Sequence, residues 1–241
     1  MRKASFIFIA AILILSGTGC ASSGKAIVAQ RDPIALVSMV SNRDINWKGE
    51  ASTNPNAFSF FGNRALQDDP DMTLVSYADE LIGTAEELFR NAIYASPIIS
   101  LAEKETVLTS RAYNEAALNN VQIRDKMVTP DGYRFVNFRD KKLPAALVGE
   151  TGIQRVIFVE FEFTKSMYSG IGKNGDCRAD VSMNILILDS GRKTLYNKSF
   201  TSWSRSTIKV TGGVYSQTDL MELFEEAITG ACQDFLSQLE N

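Results

Sequence analysis

Two stretches decide the fold: Arg155-Val156-Ile157-Phe158-Val159-Glu160-Phe161-Glu162-Phe163 and Val181-Ser182-Met183-Asn184-Ile185-Leu186-Ile187-Leu188-Asp189. Side chains of a strand alternate between its two faces. The first stretch therefore puts Ile157, Val159, Phe161 and Phe163 on one face and Glu160 and Glu162 on the other. In the second, Val181, Met183, Ile185 and Ile187 line up in the same way, within an alternating run from Ala179 to Asp189. Asp189-Ser190-Gly191-Arg192 supplies a hairpin turn, and Lys193 to Val210 predicts a third extended segment.

Working outward, Ser216 to Leu239 predicts a closing amphipathic helix. Its apolar stripe is Leu220, Leu223, Phe224, Ala227, Ala231, Phe235 and Leu239, and Asp219 and Glu222 suit the positive N-terminal end. Ser76 to Ala95 predicts a second such helix, with a capping box at Ser76 and Asp79 and a stripe of Leu81, Ala85, Leu88, Phe89 and Ala92. Pro97 ends it, and Ile98 to Leu101 reads as a short strand. Glu103 to Leu118 is helical in tendency, and Pro130 to Gly149 predicts a less regular helix or two broken by Pro144. Ile34 to Val40 reads as a buried strand. The order predicts an α/β fold: a single mixed sheet with long antiparallel hairpins in the C-terminal half, packed by helices.

The N-terminus reads as a targeting signal. Arg2 and Lys3 precede an apolar run from Ala4 to Leu15, which is too short to remain as a membrane span. Gly17-Thr18-Gly19-Cys20 is a small-residue cleavage site ending in the cysteine of a bacterial lipoprotein, with Gly17 where such sites usually place Leu. Residues 1–19 are then a signal peptide, and Cys20 carries the lipid on its sulfur. Residues 20–32 are a tether, and 33–241 form one α/β domain with a long loop at 42–70. An ordinary secretory signal cut near Ala21 to Ser23 is the rival. Ala21 after the cysteine, with no Asp there, places the anchor in the outer membrane facing the periplasm.

Composition narrows the function. The chain has 45% hydrophobic and 22% charged residues and a formal net charge of -3, which suits a folded domain and disfavours nucleic-acid binding. It has no histidine, which removes histidine bases and histidine-ligated zinc. No cofactor or metal is expected. Cys177 and Cys232 lie in a segment that an oxidising compartment would permit to bridge. Their spacing leaves open a disulfide or two separate thiols.

Gly170-Ile171-Gly172-Lys173-Asn174-Gly175 matches a dinucleotide fingerprint in letters. That motif must open a helix, whereas here strands flank it, so it reads as a hairpin loop and not a nucleotide site. Glu160 and Glu162 stand about 7 Å apart on one strand face, the rise of two residues. They could serve a carboxylate-based hydrolase, or simply face solvent. Asp176 and Asp180 flank Cys177 without the spacing of a calcium loop. Trp47, Phe58, Phe60 and Phe61 are candidate partner contacts on the long loop, or else a lid folded onto the core. Ten-residue alternating segments also resemble outer-membrane barrel strands, but Glu160, Glu162, Lys198 and Arg205 argue against a lipid-facing surface in the monomer.

The lipoprotein signal, the first strand, the amphipathic helix, the strand Val156 to Phe161, and the strand, Asp-Ser-Gly-Arg turn and return strand over Val181 to Tyr196 form one pattern. It is similar to envelope lipoproteins of the curli-secretion-channel type and the penicillin-binding-protein activator type, whose α/β fold is related to the N-terminal domain of the translocation protein TolB. The resemblance spans residues 33 to 239, with Asn42 to Pro70 as an insertion and no counterpart of the channel's constriction loop. It implies a non-enzymatic protein-interaction module attached to the membrane by its lipid and bound to an envelope protein partner, and it carries over only Cys20. A subunit of an oligomeric outer-membrane secretion channel is the alternative.

Overall fold

The computed structural model describes residues 32–48, 74–171 and 174–240. The described residues form one sheet of seven strands and six helices: β1 (Ile34–Asn42), β2 (Asn46–Trp47), α1 (Leu74–Tyr94), α2 (Lys104–Leu108), α3 (Arg111–Asn114), α4 (Val121–Arg124), β3 (Met127–Val128), α5 (Leu143–Thr151), β4 (Arg155–Ile171), β5 (Asn174–Asp189), β6 (Thr194–Trp203), β7 (Ile208–Val210) and α6 (Gln217–Glu240). The strand order is β3-β1-β4-β5-β6. β2 pairs with β4, and β7 pairs with β5. β1 and β2 run parallel to β4, while the remaining pairings are antiparallel, so the sheet is mixed as the sequence predicted.

The alternation of β4 and β5 fixes what each face does. Ile157, Val159, Phe161 and Phe163 join Val181, Met183, Ile185 and Ile187 in a core closed by α1 and α6. Phe235 of α6 is fully buried there. It stacks on Phe89 of α1 with ring centroids 6.2 Å apart and meets Tyr196 and Phe200 of β6 edge-on at 5.8 and 5.7 Å. Toward the start of both helices, the Tyr77 hydroxyl donates to the Gln217 carbonyl, so α1 and α6 run side by side in the same direction. Gly230 lets α6 approach β6, because a Cβ there would strike the side chain of Ser202.

The opposite face is covered over only part of its length. Ala35, Val37, Val156, Phe158 and Leu188 pack beneath α2, α3 and α5. A bulge at Val37 lets the chain serve both layers, since Leu36 pairs with Ile157 and Ser38 with Phe158. Beyond Glu160 and Asn184 no described helix covers the sheet, and β4 and β5 continue together to Ile171 and Asn174.

Several local expectations change. α1 begins at Leu74, so Ser76 lies inside its first turn and is not the cap. Pro144 opens α5 at its first turn, where a missing N–H costs nothing, and does not break a helix. Ile98 to Leu101 makes only a bridge, Ile34 with Leu101. The segment after Glu103 is split into α2 and α3 by Ser110, whose hydroxyl caps α3 by accepting from the Tyr113 N–H. Lys193 to Val210 is two strands, parted after Trp203, where the Ala179 N–H donates to the Ser204 hydroxyl in place of a backbone carbonyl.

Candidate functional site

The loop expected over 42–70 contains a strand at its start. Asn42 uses its carboxamide as a stand-in backbone unit: Oδ1 accepts from the Phe163 N–H at 2.7 Å and Nδ2 donates to the Phe163 carbonyl at 2.9 Å. This fills the ladder between β1 and β2 and seats Trp47 beside Lys165 of β4. Trp47 is therefore buried, not an exposed contact. Its ring meets Tyr215 edge-on at 6.2 Å, and the Lys165 ammonium lies 5.2 Å from each ring centre while donating to the Tyr215 hydroxyl at 2.8 Å. The alternation of β4 aims Lys165 at the core, and two aromatic faces compensate its charge there. Phe58, Phe60, Phe61 and Cys20 lie outside the described residues.

Cys177 and Cys232 are free, buried thiols, so the bridge left open by the sequence is not formed. Desolvation pushes both pKa values up to about 12, with the Lys165 charge partly opposing the rise at Cys177. They sit at different heights. Cys177 pairs with Met167 and Ile208 near the distal end of the hairpin, whereas Cys232 lies two turns past Phe224, toward the opposite end of α6. The six-residue glycine motif is a hairpin end, as expected: Gly170 faces Gly175, and Ile171 faces Asn174. Gly170 adopts φ 115°, and a Cβ there would collide with the Asn174 carbonyl, which accounts for that glycine without a nucleotide.

The face of this distal hairpin that no described helix covers holds a built arrangement of side chains. At its base is Asp180, buried within the sheet. It accepts from the Lys48 ammonium at 3.0 Å and from the Ser166 hydroxyl, and the Arg178 guanidinium lies 3.7 Å away. Arg178 Nε also donates to Ser166 Oγ at 3.1 Å. Held from below in this way, the guanidinium lies 5.9 Å from the Tyr168 ring and 5.4 Å from the Trp203 ring. Tyr168 is 67% exposed and Trp203 53%. A bulge makes this possible: Met167 pairs with Cys177 and Ser169 with Asp176, leaving Tyr168 as the extra residue, turned beside Arg178. Asp176 is engaged by Lys209 at 2.7 Å and by the Ser169 hydroxyl, which together lower its pKa.

Glu160 and Glu162 lie on the same face, nearer the helical cap, and both are exposed. Partial desolvation raises the Glu160 pKa, and the Glu162 charge adds to the rise. Among the described residues, no group of three or more potential ligands could hold a metal, and no helix is long and apolar enough to cross a membrane.

Tyr168, Arg178 and Trp203 were not singled out from the sequence. One signal existed. Tyr196 and Phe200 share the core phase of β6, and Trp203 falls on the opposite, polar phase, where a large aromatic has no packing reason to be.

No family model and no curated protein matches the chain. Among solved structures it is similar to the hypothetical protein CT253 from Chlamydia trachomatis, at 7% identity and a TM-score of 0.38, with 88% of this chain and 94% of that one covered.

Proposed function

We propose that this protein is a lipid-anchored, non-catalytic module of the cell envelope that binds a protein partner through the Tyr168–Arg178–Trp203 surface. The observation behind this reading is a pair of exposed aromatic rings, 5.9 and 5.4 Å from a guanidinium that Ser166 and Asp180 already hold. Trp, Tyr and Arg dominate the energetic centres of protein interfaces. A guanidinium held in place before binding loses less freedom on association. The remaining distal surface adds exposed Ile171 and Val214.

The placement suits an anchored protein that reaches outward. β1 begins opposite Arg155, so the described chain enters the sheet at the foot of β4. The aromatic pair sits toward the other end of that strand. A strand of 17 residues spans about 55 Å at ~3.3 Å per residue. The contact surface would then face away from the membrane that holds the lipid.

The test is a Tyr168→Ala, Trp203→Ala double variant. Loss of two central interface residues typically costs at least about 2 kcal/mol each. Cross-linking to the partner in cells should therefore fall by more than about 30-fold, while the melting temperature stays within about 2 °C, as expected for exposed positions. Undiminished partner cross-linking by a folded double variant would refute the assignment.

A further inference from the structure

A second feature of the same face is a groove of about 420 Å³, where the described helices end and the sheet continues without them. Its floor is sheet: Val40 of β1, Phe158 of β4 and Leu186 of β5. Its wall is the connection that carries α4 and β3, which presents Ile123, Met127 and Phe138. Ile123 and Phe138 remain 42% and 47% exposed at the mouth, although each could bury its apolar surface against an occupant. Arg139 lies 5.4 Å from the Phe138 ring centre and steadies that wall.

The polar groups are few and one-sided. Glu160 is the only charged residue lining the groove among the described residues, and Glu162 follows it two positions along the same strand face. The described residues give Glu160 no ion pair. Ser38, Asn119, Asn184 and Asn197 complete the polar lining, with Asn184 fixed by the Ser199 hydroxyl donating to its Oδ1. A concave apolar floor with a few convergent polar groups is the usual form of a small-ligand site, and this volume is within the usual range. Two carboxylates along one rim repel an anion and attract a cation. An apolar floor of this extent rejects a small hydrated cation, which would bury apolar surface against water and gain no ligands.

We propose that this groove binds a protonated amine carried on an apolar body, with the ammonium at Glu160 and the body against Phe158 and Leu186. This site is separate from the hairpin contact and stands whether or not that contact binds a partner.

The experiment titrates n-hexylammonium, and hexanoate as its anionic counterpart, into the full-length chain while following the side-chain amide resonances of Asn119, Asn184 and Asn197. The expected result is saturable shifts at these amides with hexylammonium and none with hexanoate. Glu160→Gln, which keeps the shape of an exposed side chain, should weaken hexylammonium at least tenfold. The Tyr168→Ala, Trp203→Ala variant should bind it unchanged. No saturable shift, equal response to hexanoate, or unchanged affinity in Glu160→Gln would each overturn the proposal.

Discussion

Replacing Phe235 with Ala should lower the unfolding free energy by about 3–5 kcal/mol, the range for deleting a buried aromatic ring. Phe235 is where α6, α1 and β6 meet. Its ring stacks on Phe89 and takes the edges of Tyr196 and Phe200, and none of it reaches solvent. These neighbours sit on two separate elements, α1 and β6, so the cavity cannot close without moving a helix relative to the sheet. At about 2–4 °C per kcal/mol for a chain of this size, the midpoint should drop by about 6–20 °C. Urea denaturation monitored by circular dichroism measures it. A loss below about 1 kcal/mol would mean that α6 does not close the core.

The second large effect concerns the anchor. With Cys20→Ser, the protein should shift almost wholly from the membrane fraction to the soluble one, and its intact mass should lose the acyl groups. Each buried methylene of a lipid chain contributes about 0.8 kcal/mol, so two or more chains hold a protein to a bilayer while the bare tether does not. Fractionation alongside intact mass separates the possibilities. A native protein that is unacylated and already soluble would remove the anchor from the account and favour the secretory signal cut near Ala21.

The sheet was legible because its central strands are long and keep their large apolar residues at every second position from Ile157 to Phe163 and from Val181 to Ile187. A one-residue slip in β4 would carry Phe161 and Phe163 out to solvent, so the pattern from Arg155 to Phe163 admits one register. α6 was legible for the same kind of reason, through its Leu220 to Leu239 stripe. β2 was not, because a two-residue strand has no periodicity of its own. It exists because the Asn42 carboxamide fills the gap on β4 and Trp47 pairs beside Lys165. Composition alone reads that segment as loop and leaves Trp47 either a partner contact or part of a lid folded onto the core.

The candidate site was hidden by irregularity. The bulge between Met167 and Ser169 shifts the phase of β4, so alternation counted from Phe163 does not assign Tyr168 a face. Arg178 and Asp180 look like ordinary polar-phase residues until the register places Ser166 opposite Arg178 and Trp203 opposite Asp180. Glu160 stood out as half of a carboxylate pair, yet its distinguishing neighbourhood is the groove formed by α4 and β3, more than twenty residues away in sequence.

A photo-cross-linking amino acid placed at Trp203 in otherwise native protein in cells, compared with the same group at exposed Glu105 on α2, tests the proposed interface most directly. One discrete adduct with a different envelope protein is expected from position 203 and none from position 105. Adducts only between copies of this chain would favour the oligomeric channel, and no adduct at position 203 in folded, membrane-bound protein would contradict the account.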